Sequence, residues 1–372
     1  MFNLEQITKL YQTLHQMPEP GFEEVKTSAF LAQRLQDAGY EVQTKVGGTG
    51  VVGILRSKKT GQVVALRADM DALRHVVNGK VCAIHSCGHD AHSTMVLTVA
   101  EEVAKRGLAS GTLKIIFQPA EELLFGALRV IEDGAIDDVD ILLGMHLRPA
   151  QEAIRGQATP ALCHGASKMI EATLTGRPAH GARPHLGINA IDAAAAVVNA
   201  INAIQSNPVI PTSIKTTKLQ AGGPALNAIP DKALMAFDLR TQENAAMEEL
   251  VQKARRAIEG AAASVGATAS INILGGVPAA EYTPEIVTLA QAAIVHVLGT
   301  EGLLPATITP GGEDFHFYIK HKPTLKVGYL GLGCNLLPGL HHPDMKFDVA
   351  ALPDGINILL YMVDKLIGIK AE

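Results

Sequence analysis

Three apolar runs of strand length each give way to side chains of the kind that bind metal ions or carry protons. Val63-Val64-Ala65-Leu66-Arg67-Ala68 leads into Asp69-Met70-Asp71, and Thr112-Leu113-Lys114-Ile115-Ile116-Phe117 passes through Gln118-Pro119-Ala120 into Glu121-Glu122. A third run, Val139 to Leu143, leads to Gly144-Met145-His146. Short continuous apolar runs read as strands buried on both faces. Between the first two, Asp90 to Arg106 reads as a helix with Met95, Val96, Val99 and Val103 as its apolar stripe. Strand-helix-strand alternation predicts a largely parallel sheet with helices on its faces. Ligands of such sheets bind beyond the carboxyl ends of the strands. Asp69, Asp71, Glu121, Glu122 and His146 are all expected at that edge.

Ahead of this block, Leu4 to Gln16 and Glu23 to Ala38 read as amphipathic helices separated by Pro18-Glu19-Pro20-Gly21. Glu41 to Val46 and Gly50 to Leu55 read as a hairpin turning at Gly47-Gly48-Thr49. The middle of the chain changes rhythm. Strands over Lys168–Thr175, Thr212–Leu219, Ala233–Arg240 and Ala267–Leu274, with helices over Gly187–Gln205 and Asn244–Val265, give β-α-β-β-α-β, the ferredoxin-like order. A helix (Pro284 to Leu298), a strand (Thr324 to Leu330) and a final helix (Pro353 to Ile367) then return to the first pattern. The expectation is an α/β protein: a catalytic domain of residues 1–166 and 278–372, with residues 167–277 inserted as a ferredoxin-like α+β unit.

At 372 residues, two domains can each bury a core. The formal net charge of −5, with no lysine or arginine run, argues against a nucleic-acid partner, since phosphate binding needs a basic face. No apolar stretch approaches the roughly 18–20 residues that cross a bilayer, and the N-terminus has no signal-peptide pattern. Cys82, Cys87, Cys163 and Cys334 are irregularly spaced in a long chain, which argues against a disulfide framework. A cytoplasmic enzyme is the expectation.

Thiolate and imidazole are good ligands for zinc and its neighbours, and carboxylates also suit manganese. Cys87-Gly88-His89 sets one of each two residues apart, while Glu122 and His146 add ligands from other strands. These exceed what one tetrahedral ion needs, so two ions sharing a water are expected. Glu121, which cannot point the same way as Glu122 along a strand, is left as general base. Each feature alone has a plainer reading. Adjacent glutamates often form a solvated face, His146 could be a core histidine, and His341-His342-Pro343 could be a loop pair.

Together these strings resemble the co-catalytic metal amidohydrolases that include hippurate hydrolases, auxin-conjugate hydrolases and N-acetyldiaminopimelate deacetylases. The likeness runs from Arg67-Ala68-Asp69-Met70-Asp71-Ala72-Leu73 through His85-Ser86-Cys87-Gly88-His89-Asp90-Ala91-His92 and Pro119-Ala120-Glu121-Glu122 to Gly144-Met145-His146. It continues in Gly176-Arg177-Pro178-Ala179-His180, Asn227-Ala228-Ile229-Pro230, Gly312-Glu313-Asp314-Phe315 and Leu340-His341-His342-Pro343. The resemblance implies an α/β/α metallopeptidase-type domain with an inserted lid that often pairs two subunits. It puts metal ligands on Cys87, His89, Glu122, His146 and His341, and the catalytic glutamate on Glu121. By the same resemblance His180 stabilises the oxyanion, Asn227 and Arg240 hold the substrate carboxylate, and His92 orients the metal turn or packs. Two divalent ions (zinc or manganese, with cobalt and nickel also fitting), an N-acyl amino acid substrate and a homodimer or higher homo-oligomer are implied.

The chain departs from the family pattern at Arg74-His75, where proline and an aliphatic residue are usual, and the stretch from Leu73 to His85 is short. Two other readings remain at this point. A dipeptidase or carboxypeptidase of the same clan would usually carry His-x-Asp where Asp69-Met70-Asp71 stands. A non-catalytic binding protein would be expected to have lost Glu121.

Overall fold

The computed structural model describes residues 2–371, which divide into two compact units. The first comprises the described residues up to 163, residues 281–308 and the described residues from 313 onward, and the second residues 164–280 and 309–312.

In the first unit, α1 (Leu4–His15) and α2 (Val25–Asp37) precede the hairpin of β1 (Glu41–Val46) and β2 (Gly50–Arg56). Next come β3 (Val63–Asp69), a small hairpin of β4 (Leu73–Val77) and β5 (Lys80–Ile84), and α3 (His89–Arg106). Strand β6 (Thr112–Gln118), α4 (Gly126–Glu132), β7 (Ile141–Pro149) and β8 (Ala158–Thr159) follow. The main sheet runs β1-β2-β6-β3-β7, then the late strand Lys326–Leu336, then β8. Its central four strands are parallel, but both flanks pair antiparallel, so the sheet is mixed rather than largely parallel. The hairpin at Gly47-Gly48-Thr49 joins through β2 to β6, and that sets one flank.

Alternation along the strands builds two cores. Val64, Leu66, Ala68, Leu113, Ile115, Phe117, Ile141 and Leu143 face a cluster with α1, α3 and the helix Leu352–Ile367. Ala65, Ile116, Leu142, Val327 and Tyr329 face a second cluster with α4, Phe315 and Tyr318. Sheet and helices thus form an α/β/α sandwich. Strand β7 extends to Pro149 and stays paired with Lys326–Leu336, with His146 opposite Gly331. His146 therefore lies within the strand, not after its end.

The second unit is one four-stranded antiparallel sheet carrying two helices. Its order is Thr212–Ala221, Lys232–Thr241, Ala166–Thr175, Thr268–Gly275, which is the ferredoxin-like arrangement. Ile170, Ala172, Leu174, Met235, Phe237 and Leu239 pack on one face against Ala190–Asn202 and Asn244–Ser264.

The sandwich contains a fully buried cation. The Arg67 guanidinium donates to Asp69 Oδ2 (2.6 Å), Asp314 Oδ1 (2.9 Å), Glu313 Oε1 (3.1 Å) and Gln118 Oε1 (2.9 Å). Three carboxylates share one cation. Burial pushes the Asp314 carboxyl up from 3.8 to about 8, against the pull of Arg67 and with a further push from Glu313. Folded protein therefore holds a proton on Asp314 between pH 3.8 and about 8 that the unfolded chain releases, and this group's contribution to stability falls as pH rises through that window. Substituting Arg67 with Met leaves the carboxylates uncompensated and is expected to cost about 3–5 kcal/mol. Asp314→Asn should cost less at neutral pH and flatten the fall in stability toward pH 8. Urea denaturation from pH 5 to 8 measures both, and an Asp314→Asn loss as large as that of Arg67→Met would contradict this balance.

Candidate metal centre

Each of the donor side chains is set by local backbone. Cys87 precedes Gly88, whose φ of 90° is left-handed, and a Cβ at Gly88 would meet Leu147 Cδ1 at 3.0 Å. Glycine there lets the chain pass from Cys87 straight into α3, whose first residue is His89. At the end of β6, Ala120 adopts φ 52°, also left-handed, and Glu121–Leu123 form one turn of 3₁₀ helix. Glu121 and Glu122 thus sit on a helical turn and not on a strand, and both carboxylates approach His89 Nε2, at 3.9 and 3.8 Å.

Hydrogen bonds fix which ring nitrogen each histidine presents. His89 donates from Nδ1 to Asp71 Oδ1 at 3.0 Å, which leaves Nε2 facing the site. His146 donates from Nδ1 to the Leu147 carbonyl at 2.6 Å, which turns its Nε2 to within 3.5 Å of Cys87 Sγ. Both nitrogens of His92 are committed, Nδ1 to Asp69 Oδ1 (2.6 Å) and Nε2 to the Leu147 N–H (3.0 Å). This ring braces the site. Asp71 works twice, because its Oδ2 also accepts the Glu122 N–H at 3.0 Å. His341, with a left-handed φ of 64°, donates its N–H to the Ser86 carbonyl at 2.6 Å and brings Nε2 to 3.4 Å from Glu122 Oε1. His342 instead accepts from the Asp344 N–H.

Donor atoms of Cys87, His89 and His146 lie within 4.8 Å of one another, as do those of Cys87, Glu122 and His341. Cys87 belongs to both triads. The buried atoms His89 Nε2 and Glu122 Oε1 have no hydrogen-bond partner, a costly arrangement unless a cation fills the space between them. Electrostatics agree. Burial pushes the Cys87 thiol up, with Glu122 adding to it, so a thiolate here needs positive charge beside it. Burial, His92 and Arg148 hold His146 well below the usual range, keeping its imidazole neutral with a lone pair free. Burial lowers His89, but Asp69, Cys87 and Asp71 together raise it well above the usual range, a setting short of a cation. Thiolate, imidazole and carboxylate donors suit a pair of divalent ions of the zinc and manganese type.

Glu121 is buried beside this set, with Oε2 at 3.9 Å from His89 Nε2. Burial, then the charges of Glu313 and Glu122, raise its carboxyl well above the usual range. Glu122 differs. Against the upward push of burial, the nearby His341 imidazole and the charge of His89 hold it low. Two neighbouring glutamates thus have opposite proton affinities, one suited to carry a proton and the other to stay ionised.

In the second unit, His180 pairs with Ala228 and lies exposed. Its Nδ1 accepts the Ala182 N–H at 3.0 Å, which leaves Nε2–H as an outward donor in the neutral ring. The Gly181 N–H donates to the Asn227 carbonyl at 2.7 Å, so Asn227 and His180 share one corner. Arg240, on the strand Lys232–Thr241, donates Nε to both carboxylate oxygens of Asp238 at 3.1 Å.

Sequence patterns missed three supports. The β4–β5 hairpin accounts for the short stretch after Leu73: Arg74 pairs with Glu23 at 2.6 Å, and His75 Nε2 meets Ser86 Oγ at 2.8 Å. Asp69 and Asp71 lie at the expected edge, but their role as braces for His92, His89 and Glu122 appears only in the fold. These contacts join distant segments, and no local spacing signals them.

The chain is similar to known proteins over most of its length. Residues 65–365 match the model of peptidase family M20/M25/M40. The chain is 31% identical to hippurate hydrolase of Campylobacter jejuni, over 84% of this chain and 85% of the relative. It is 32% identical to thermostable carboxypeptidase 1 of Saccharolobus solfataricus, over 85% and 84% of the two chains. A dinuclear metal-binding peptidase of the M20 family from Bacillus subtilis superposes with a TM-score of 0.83 at 27% identity, over 98% of both chains. With its sandwich, its candidate donor cluster and this extent of likeness, the chain belongs to peptidase family M20/M25/M40 and is a metal-dependent amidohydrolase.

Proposed function

We propose that the enzyme hydrolyses the amide bond of N-acyl-L-amino acids, N-acetyl amino acids among them, to a carboxylic acid and a free amino acid. The carrying observation is the opposite proton affinities of Glu121 and Glu122 beside the two triads that share Cys87. Cys87, His89, Glu122, His146 and His341 would hold two divalent ions, zinc or manganese, with cobalt or nickel also fitting. When bound, such ions polarise a carbonyl and make water more acidic. Glu121 takes the proton of the attacking water and returns it to the departing amine nitrogen. Its raised proton affinity suits the first transfer, and its burial keeps the proton from solvent. His180 donates its Nε2–H to the oxygen that gains charge as the carbonyl becomes tetrahedral. Arg240 and Asn227 hold the amino acid carboxylate. With Nε tied to Asp238, the remaining guanidinium edge is the one offered.

Likeness to hippurate hydrolase supports the acyl-amino-acid reading, since hippurate is itself an N-acylated glycine. Likeness to a thermostable carboxypeptidase supports a second reading, cleavage of peptides by the same chemistry. A homodimer through the second unit belongs to the proposal, supported by the strand Thr212–Ala221 at the border of its sheet. So does a reducing, cytoplasmic setting, supported by four free cysteines, one of them among the candidate ligands. No described helix is long and apolar enough to cross a membrane.

A panel of N-acetyl, N-benzoyl and dipeptide substrates, assayed after chelation and reloading with zinc or manganese, separates the two readings. Metal-restored release from acyl amino acids is expected, and release from dipeptides alone would transfer the enzyme to the peptidase reading. Glu121→Gln should lower kcat by about 10²–10⁴-fold while metal content, measured by elemental analysis, stays at two ions. Arg240→Ala should raise KM for substrates with a free carboxylate by about 10–100-fold and leave carboxamide analogues unaffected. Equal effects on both substrate types would remove Arg240 from this role.

A further inference from the structure

Glu24 is a fully buried carboxylate with no part in the chemistry above. It occupies the N-cap position of α2 but makes no capping bond there. Glu19 caps that helix instead, accepting from the N–H groups of Lys26 and Thr27, each at 2.9 Å. Freed from its own helix, Glu24 turns to two distant segments. Its Oε1 accepts the Ala120 N–H at 2.8 Å, and its Oε2 accepts the Thr49 hydroxyl.

Ala120 is the left-handed residue that turns β6 into Glu121. A side-chain-bearing residue holds that conformation only where its surroundings impose it. Gly21 backs the same point, since a Cβ there would lie 2.9 Å from both Cα and Cβ of Ala120. The far side of the turn is held separately, by Asp71 on the Glu122 N–H. Burial also pushes the Glu24 carboxyl up to about 7, so much of its population near neutral pH is uncharged and tolerates this dry location.

We propose that Glu24 is a positioning residue for Glu121: its bond to the Ala120 N–H fixes the left-handed link that aims the Glu121 carboxylate, while Glu122 is fixed independently through Asp71. The inference rests on Glu121 as the proton carrier.

The test uses full-length Glu24→Met and Glu24→Gln beside the wild type, loaded with zinc or manganese. Methionine keeps the volume and removes the acceptor, whereas glutamine keeps an acceptor for Ala120. In Glu24→Met, amide hydrogen exchange across residues 118–126 should rise by about tenfold or more. Its kcat should fall by about tenfold or more, with KM and metal affinity by chelator competition held within about threefold. Glu24→Gln should restore slow exchange and most of kcat.

Unchanged exchange, faster exchange with unchanged kcat, or a kcat loss matched by lost metal affinity would each overturn the proposal. So would a Glu24→Gln enzyme as impaired as Glu24→Met. If Glu24→Met does not fold, Gly21→Ala keeps Glu24 and presses on Ala120 directly; a wild-type kcat there overturns the proposal, and a lowered kcat at unchanged metal affinity supports it. Should the wild type release nothing from N-acyl amino acids, the functional reading fails on its own, and exchange still decides whether Glu24 fixes the turn.

Discussion

One buried guanidinium sets the floor of this site. Arg67 points from the middle of the parallel strands toward their carboxyl ends and binds Asp69, Glu313 and Asp314 together. A cation so placed would be costly if any partner were missing, and three carboxylates so placed would repel without it. From Asp69 the order passes to His92, from His92 to the Leu147 N–H, and so to the strand that carries His146. Glu313 in turn adds to the burial that raises the proton affinity of Glu121. The same network that stabilises the sheet edge therefore tunes the glutamate proposed to move protons.

Above that floor, the site is held by backbone as much as by side chains. Left-handed residues at Gly88, Ala120 and His341 each stand at or next to a candidate donor or the proposed catalytic glutamate. Only the first is glycine. At the other two, a hydrogen bond from elsewhere imposes the conformation: Glu24 on the Ala120 N–H, and the Ser86 carbonyl on the His341 N–H. Because Asp71 braces both His89 and Glu122, the two triads that share Cys87 are also joined through a common carboxylate. Such bracing reduces the rearrangement needed when a cation enters.

Much of this was legible in the chain itself. Apolar runs leading to Asp69, Glu121 and His146 marked one sheet edge, and Cys87-Gly88-His89 marked two candidate donors, because local sequence encodes strands and turns. The β-α-β-β-α-β rhythm likewise gave the topology of the second unit. Less legible were features set by pairing across the chain. The antiparallel flanks depend on which strand β2 joins, His146 stays inside β7 because Lys326–Leu336 continues beside it, and the β4–β5 hairpin lies in a stretch that stood out in the sequence only by its shortness and by Arg74-His75. Glu24 gave no signal at all, since its meaning lies in a partner in another segment.

The central claim is that two ions sit in two triads sharing Cys87 while Glu121 stays free to carry a proton. Anomalous diffraction from crystals of the zinc- or manganese-loaded protein tests it most directly. Two peaks per chain are predicted, one bounded by Cys87, His89 and His146 and the other by Cys87, Glu122 and His341, with the Glu121 carboxylate bound to neither. A single peak, or density showing Glu121 as a ligand, would contradict the account.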